Sequence, residues 1–128
     1  MVESVQKFSS ADDLITEFEK LSQSGGRFIV YLTGADKPET GKSWCPDCVR
    51  AKPVIDSTIA AINGRFPVLM IAIERADWKK GHPCVQHPLI KATNVPTFVM
   101  FEGTSQLVRA EADDHFENVD LMAMFSDA

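Results

Sequence analysis

The chain has 128 residues, enough for one domain with a sizeable core, and no repeat, low-complexity tract or linker divides it, so a single domain over 1–128 is expected. A hydrophobic fraction of 45% is that of a globular protein, and a formal net charge of −5 argues against nucleic-acid or anionic-membrane surfaces, which need clustered Lys and Arg. No apolar run has the length of a secretory leader or a bilayer span, so a cytoplasmic chain is expected, and in that reducing setting three cysteines ask for a chemical reading rather than a disulfide framework.

Val5–Phe8 reads as a short edge strand. Ser9 and Ser10 offer an N-cap, Asp12 and Asp13 suit a first helical turn, and Leu14, Ile15, Phe18 and Leu21 follow at helical spacing until Gly25-Gly26. Phe28–Leu32 is a β-prone run suited to a strand covered on both faces, and the polar segment Thr33–Ser43 is rich in turn residues. A second helix is expected from about Cys45 to Ile62, with Asn63-Gly64 as its stop, Val49, Ile55, Ile59 and Ile62 as its inner stripe, and Pro53 kinking it.

Val68–Ile73 is a second wholly apolar strand, and Glu74–Asn94 holds at most a short helix near Leu89-Ile90. Thr97–Phe101 and Gln106–Ala110 read as a hairpin around Glu102–Ser105. The tail from Asn118 to Ser126 places Val119, Met122 and Phe125 on one helical face. This order describes an α/β protein: parallel strands joined by right-handed crossovers, then an antiparallel hairpin, in a mixed sheet flanked by helices on both faces.

Chemistry concentrates at Trp44-Cys45-Pro46-Asp47-Cys48. Two cysteines at this spacing, after a strand and loop and opening a helix, place Cys45 where unpaired backbone N–H groups and the macrodipole favour a thiolate. Only the thiolate attacks a disulfide, so Cys45 is the candidate nucleophile, and Cys48, one turn inward, is the candidate resolving thiol. Pro46 suits a first turn, where its missing N–H had no partner, and Trp44 offers an apolar wall. Asp47 opposes ionisation of Cys45 by its charge while offering Cys48 a proton acceptor, with Lys42 as a weak counterweight.

A zinc site assembled from Cys45, Cys48, His82, Cys84 and His87 lacks a second Cys-x-x-Cys, so no metal is expected. Cys84 reads as an ordinary surface or loop thiol, and His82, His87 and His115 as solvent-facing. Val95-Pro96 precedes a strand, and on the residues alone a trans turn there is the commoner outcome.

Together, Trp44-Cys45-Pro46-Asp47-Cys48, Pro53 and Val95-Pro96-Thr97 resemble the thioredoxin superfamily. More narrowly, Gly41–Val49, the longer loop before it and Trp78-Lys79 are similar to the 14-kDa thioredoxin-related proteins, the thioredoxin-domain-containing protein 17 family. The resemblance implies a thioredoxin fold in which Pro96 is cis and lies against the cysteine pair, with the Val95 backbone pairing a bound substrate strand. It implies a cytosolic, monomeric disulfide reductase with a redox disulfide between Cys45 and Cys48 and no bound cofactor, reduced by NADPH through thioredoxin reductase. Its substrates would be small disulfides such as cystine and selected proteins, with a minor peroxidase activity.

Three departures from ordinary thioredoxin stand out. Tyr31 occupies the strand position of a buried Asp, Pro-Asp replaces Gly-Pro between the cysteines and makes Asp47 the substitute acceptor, and the loops Thr33–Ser43 and Glu74–Asn94 are longer and crowd the site. A glutaredoxin would show a Gly-Gly-Asp-type grip where this chain has only Gly103.

Overall fold

The computed structural model describes residues 5–127. Its five strands are β1 (Val5–Phe8), β2 (Arg27–Gly34), β3 (Val68–Ile73), β4 (Thr97–Glu102) and β5 (Ser105–Glu111), and they form one sheet in the order β1-β3-β2-β4-β5. β3 pairs in parallel with both β1 and β2, whereas β4 is antiparallel to β2 and to β5. The mixed sheet expected from the element order is therefore present, and among the described residues no helix is long and apolar enough to cross a membrane.

Strand alternation sends the apolar residues into two cores. Phe28, Val30, Leu32, Leu69, Ile71, Val99 and Phe101 face one side and pack with Leu14 and Phe18 of α1 (Ala11–Ser24). Trp78 of α3 (Arg75–Lys80) and Cys84 of α4 (Pro83–Gln86) join the same side. The opposite face, with Ile29, Tyr31, Val68, Phe98 and Met100, is covered by α2 (Pro46–Ile62), α5 (Ala112–Glu117) and α6 (Val119–Asp127). Each fully buried Phe, Leu or Ile contributes about 1.5–3 kcal/mol. Phe18 adds edge-on contacts to Phe28 and Phe101 at 5.3 and 5.0 Å between ring centres.

Helix ends follow local chemistry. Ser10 caps α1 by accepting the Asp13 N–H at 3.4 Å, and Gly25 closes it in the left-handed region at φ 77°, where a side chain is disfavoured. α2 continues through Pro53 to Asn63, also left-handed at φ 53°. Proline has no N–H to give back to the preceding turn, so one helical bond is absent there.

Four expectations need correction. The inner stripe of α2 is Cys48, Ala51, Ile55, Thr58 and Ile62, with Val49 37% exposed, because the three-then-four rhythm starts one residue earlier, on the second cysteine. In Glu74–Asn94 the helices are α3 and α4, while Leu89-Ile90 is a turn anchored by the fully buried Ile90. α5 is an element the sequence pattern did not announce. Val119 is 78% exposed although Met122 and Phe125 are buried, since six residues advance a helix by about 600° and leave Val119 roughly 120° from Phe125.

Candidate active site

β2 runs two residues past Leu32, so that Gly34 still pairs with Ile73 at the end of the sheet. The segment that follows is ordered by its own backbone. Asp36 bridges Ser43, Lys37 N–H donates to Lys42 O at 2.8 Å, and Trp44 N–H donates to Ala35 O at 3.2 Å. Ser43 then ties the turn to the strand: its Oγ donates to Gly34 O at 2.8 Å and accepts the Cys45 N–H at 3.1 Å. Trp44 reaches across the strand end, its Nε1–H donating to Ile73 O at 2.7 Å.

A Cβ on Gly34 would lie 2.7 Å from Ser43 Oγ, 3.0 Å from Trp44 Cε2 and 3.1 Å from Cys45 Cβ. Only glycine lets this turn press so closely on the strand. Neither Gly34 nor Thr33 was marked as a site residue by the sequence. The signal available was a glycine ending an apolar strand before a Cys-x-x-Cys loop.

Cys45 is the N-cap of α2, in extended conformation, and Pro46 is the first helical residue. The Cys45 sulfur accepts the Cys48 N–H at 3.4 Å and its thiol donates to the Val95 carbonyl at 3.3 Å. The sulfur thus stands between a donor suited to a thiolate and an acceptor suited to a thiol. Val95 is buried and the Val95–Pro96 peptide is cis, so the segment that the resemblance placed against the pair is there.

Cys48 is one turn further in and 2% exposed, and its Sγ accepts the Gly34 N–H at 3.3 Å. Burial pushes its thiol up to about 12, against the opposing pull of the Gly34 N–H and the Thr33 hydroxyl, and the neighbouring Cys45 adds to the rise. Both cysteines are unbridged thiols.

Behind Cys48 a cleft of about 410 Å³ opens between α2 and the sheet, with Tyr31, Thr33, Lys52 and Asp56 in its walls. Burial drives the Tyr31 phenol to about 12, opposed by a hydrogen bond with Thr33 and reinforced by Cys48, Asp56 and Asp36. The Asp47 carboxylate is paired with Arg50, and in the next turn Lys52 meets Asp56 at 2.8 Å.

The remaining flagged residues lie elsewhere. Cys84 is no surface thiol: it is fully buried, its Sγ is 3.8 Å from Ala11 O, and burial raises it to about 12. His87 is not solvent-facing, its side chain being 12% exposed with the ring against Phe18 at 4.9 Å. His82 is half-buried and caps α4 by accepting the Cys84 N–H at 3.2 Å, its pKa lowered by burial against the pull of Asp77. His115 accepts the Glu111 N–H at 2.9 Å. Trp78 packs against the α1-side core. Among the described residues no three His, Cys, Asp or Glu side chains come together to hold a metal ion.

A mixed sheet between two helical layers, with a Cys-x-x-Cys at a helix mouth facing a cis X-Pro peptide, defines a thioredoxin-fold protein. Thioredoxin NaTrxh from Nicotiana alata superposes with a TM-score of 0.66 over 98% of this chain and 95% of that one at 16% identity, a likeness of fold. Residues 4–127 match the family model described as thioredoxin domain-containing protein 17-like, thioredoxin domain, and the chain belongs to that family. The thioredoxin-like protein Clot of Arabidopsis thaliana is 38% identical over 99 residues, 76% of this chain and 72% of that protein. Human thioredoxin domain-containing protein 17 is 35% identical over 98 residues, 74% and 78% of the two chains. An acireductone dioxygenase of Leishmania braziliensis is 32% identical over 67% of this chain, which spans only 27% of that longer protein. Family and fold support a thiol–disulfide oxidoreductase role.

Proposed function

We propose that this protein is a cytosolic disulfide reductase in which Cys45 is the nucleophile and Cys48 the resolving thiol. The observation that carries this reading is the Cys45 sulfur at the mouth of α2, accepting the Cys48 N–H at 3.4 Å. The Cys45 thiolate attacks one sulfur of a substrate disulfide, the S–S bond breaks, and the departing sulfur takes a proton. Cys48 then gives up its proton and attacks Cys45 in the mixed disulfide, releasing the second substrate thiol and leaving a Cys45–Cys48 bridge. NADPH, through thioredoxin reductase, returns two electrons to the bridge.

Trp44 and Pro46 wall and pre-shape the nucleophile's turn, and Val95 presents its backbone to the substrate strand beside Pro96. Asp47 serves as an exposed charge near the helix mouth, moderated by its pairing with Arg50. On this reading the longer loops Thr33–Ser43 and Glu74–Asn94 crowd the site, which suits small disulfides such as cystine and selected proteins over bulky ones. With peroxide, the Cys45 thiolate attacks one oxygen, the O–O bond breaks and hydroxide leaves, giving a sulfenic acid; the Cys48 thiol then condenses with it to a disulfide and water, a minor side activity. The working unit is a monomer.

NADPH consumption with thioredoxin reductase, comparing cystine, insulin and hydrogen peroxide, tests the reading. Cystine is expected to turn over, insulin more slowly, and Cys48→Ser to accumulate a mixed disulfide on Cys45. Absence of turnover with every disulfide, or undiminished turnover in Cys45→Ser, overturns it.

A further inference from the structure

The segment that delivers Val95 to Cys45 is held from the far edge of the sheet. β5 is the edge strand, and register puts Arg109 opposite Val99 and Glu111 opposite Thr97, two residues beyond Val95. The Arg109 guanidinium donates through three nitrogens to three acceptors: Nη2 to the Ile90 carbonyl, Nη1 to Glu111 Oε1, and Nε to Gln106 Oε1 at 2.9 Å. The second carboxylate oxygen of Glu111 accepts the Thr93 hydroxyl at 2.5 Å. Both members of the pair are largely covered, at 20% and 12% side-chain exposure, so water competes weakly for these bonds.

The same segment is also held by the fully buried Ile90 side chain, by backbone bonds from Lys91 N–H to His87 O at 2.9 Å and from Ala92 N–H to Val85 O at 3.0 Å, and by the Thr97 hydroxyl on Asn94 O at 2.5 Å. Val95 follows directly, with its carbonyl accepting from the Cys45 thiol.

We propose that Arg109 and Glu111 are positioning residues, whose ion pair fixes the backbone of residues 90–94 and thereby sets the Val95 carbonyl against Cys45. A planar fork with several fixed donors suits this task, because one side chain can hold a loop carbonyl and a strand carboxylate at a set separation. With the pair removed, residues 90–94 loosen and the Cys45 thiol loses its bond to the Val95 carbonyl. For the reductase reading on which its catalytic consequence rests, the Val95 backbone then drifts from the line a substrate strand would take.

The experiment compares the full-length wild type with Arg109→Leu, Arg109→Lys and Glu111→Gln. Hydrogen exchange over 88–95 is expected to speed up while β2 and β3 keep their protection. Labelling of Cys45 by iodoacetamide at one fixed pH is expected to accelerate, as the loosened segment uncovers a residue that is only 6% exposed. The rate constant kcat/KM for a small disulfide is expected to fall by about tenfold through misplacement alone. Arg109→Lys, which keeps the charge but not the fork, should fall between.

Unchanged exchange over 88–95, or faster exchange with unchanged Cys45 labelling, overturns the proposal, as does unchanged kcat/KM in an active protein. A purely stabilising role would lower Tm and leave labelling and kcat/KM alone well below it. Should the wild type reduce no disulfide, the reductase reading fails while exchange and labelling still decide this one. Should Arg109→Leu fail to fold, Glu111→Gln and Arg109→Lys carry the decision.

Discussion

The Gly34 N–H donates to the Cys48 sulfur across 3.3 Å, so the last residue of β2 is also a direct partner of the inner thiol. Strand, turn and helix meet at this point. Ser43 bonds the same glycine's carbonyl, and the Trp44 and Cys45 side chains lie over the place its side chain would occupy.

Gly34→Ala is therefore expected to push the turn off the strand, since a Cβ 2.7 Å from Ser43 Oγ cannot stay there. Overpacking of this kind costs about 1–3 kcal/mol, readable as a lower urea midpoint. Disulfide turnover should fall with it, as Cys45 and Ser43 move together. Gly26→Ala is the control, because its Cβ would find only Ser24 Oγ at an ordinary 3.7 Å. Equal effects in the two variants would mean that close approach at Gly34 is not what matters.

The three thiols should not react alike. Cys48 and Cys84 are both pushed up to about 12 by burial, and they are 2% and 0% exposed. Only thiolates react with iodoacetamide, so near neutral pH the reduced, folded protein should gain a single adduct, on Cys45. Peptide mass mapping reads this directly. Early labelling of Cys48 or Cys84 would contradict the burial that raises their thiols, whereas unfolding in urea should make all three accessible.

Much of the molecule was legible in advance because its signals are short-range. Ser10, Gly25 and Asn63 carry the chemistry of helix ends, and the apolar runs at 28–32 and 68–73 lead directly to β2 and β3. The cysteine pair was legible for the same reason, as capping and spacing are local. What escaped was set by packing at a distance. Cys84 looks like a loop thiol among His and Pro, yet the loop folds back beneath α1 and buries it. The Arg109–Ile90 bond joins residues 19 apart in sequence, with no local pattern to announce it. In the stripe of α2, Ile55 and Ile62 stand where spacing puts them, while Val49 and Ile59 give way to Cys48 and Thr58, which hold core positions usually taken by larger apolar side chains.

The C-terminal helix offers a test of that last kind of error. Val119, Met122 and Phe125 look equivalent by spacing, but their exposures are 78%, 5% and 0%. Val119→Ser is expected to change stability by less than about 0.5 kcal/mol, as surface substitutions do. Phe125→Ala should cost about 3–5 kcal/mol, because it empties the site packed edge-on against Phe98 at 4.8 Å. Comparable losses in both would return Val119 to the core.

Alkali should weaken the reduced protein in a window fixed by three buried groups. Cys48 and Cys84 are raised from 9.0 to about 12, and Tyr31 from 10.0 to about 12. The native state thus keeps protons that the unfolded chain has begun to lose. When the unfolded state holds fewer protons, stability falls as pH rises, so the contribution of these groups is complete below about pH 9 and is lost on the way to about 12. Urea midpoints measured under reductant between about pH 8 and 11 should decline steadily. Cys84→Ala removes one titrating group and should flatten the slope, and bridging Cys45 to Cys48 removes another and should flatten it again. A midpoint independent of pH across this range would mean that burial does not hold these protons in place.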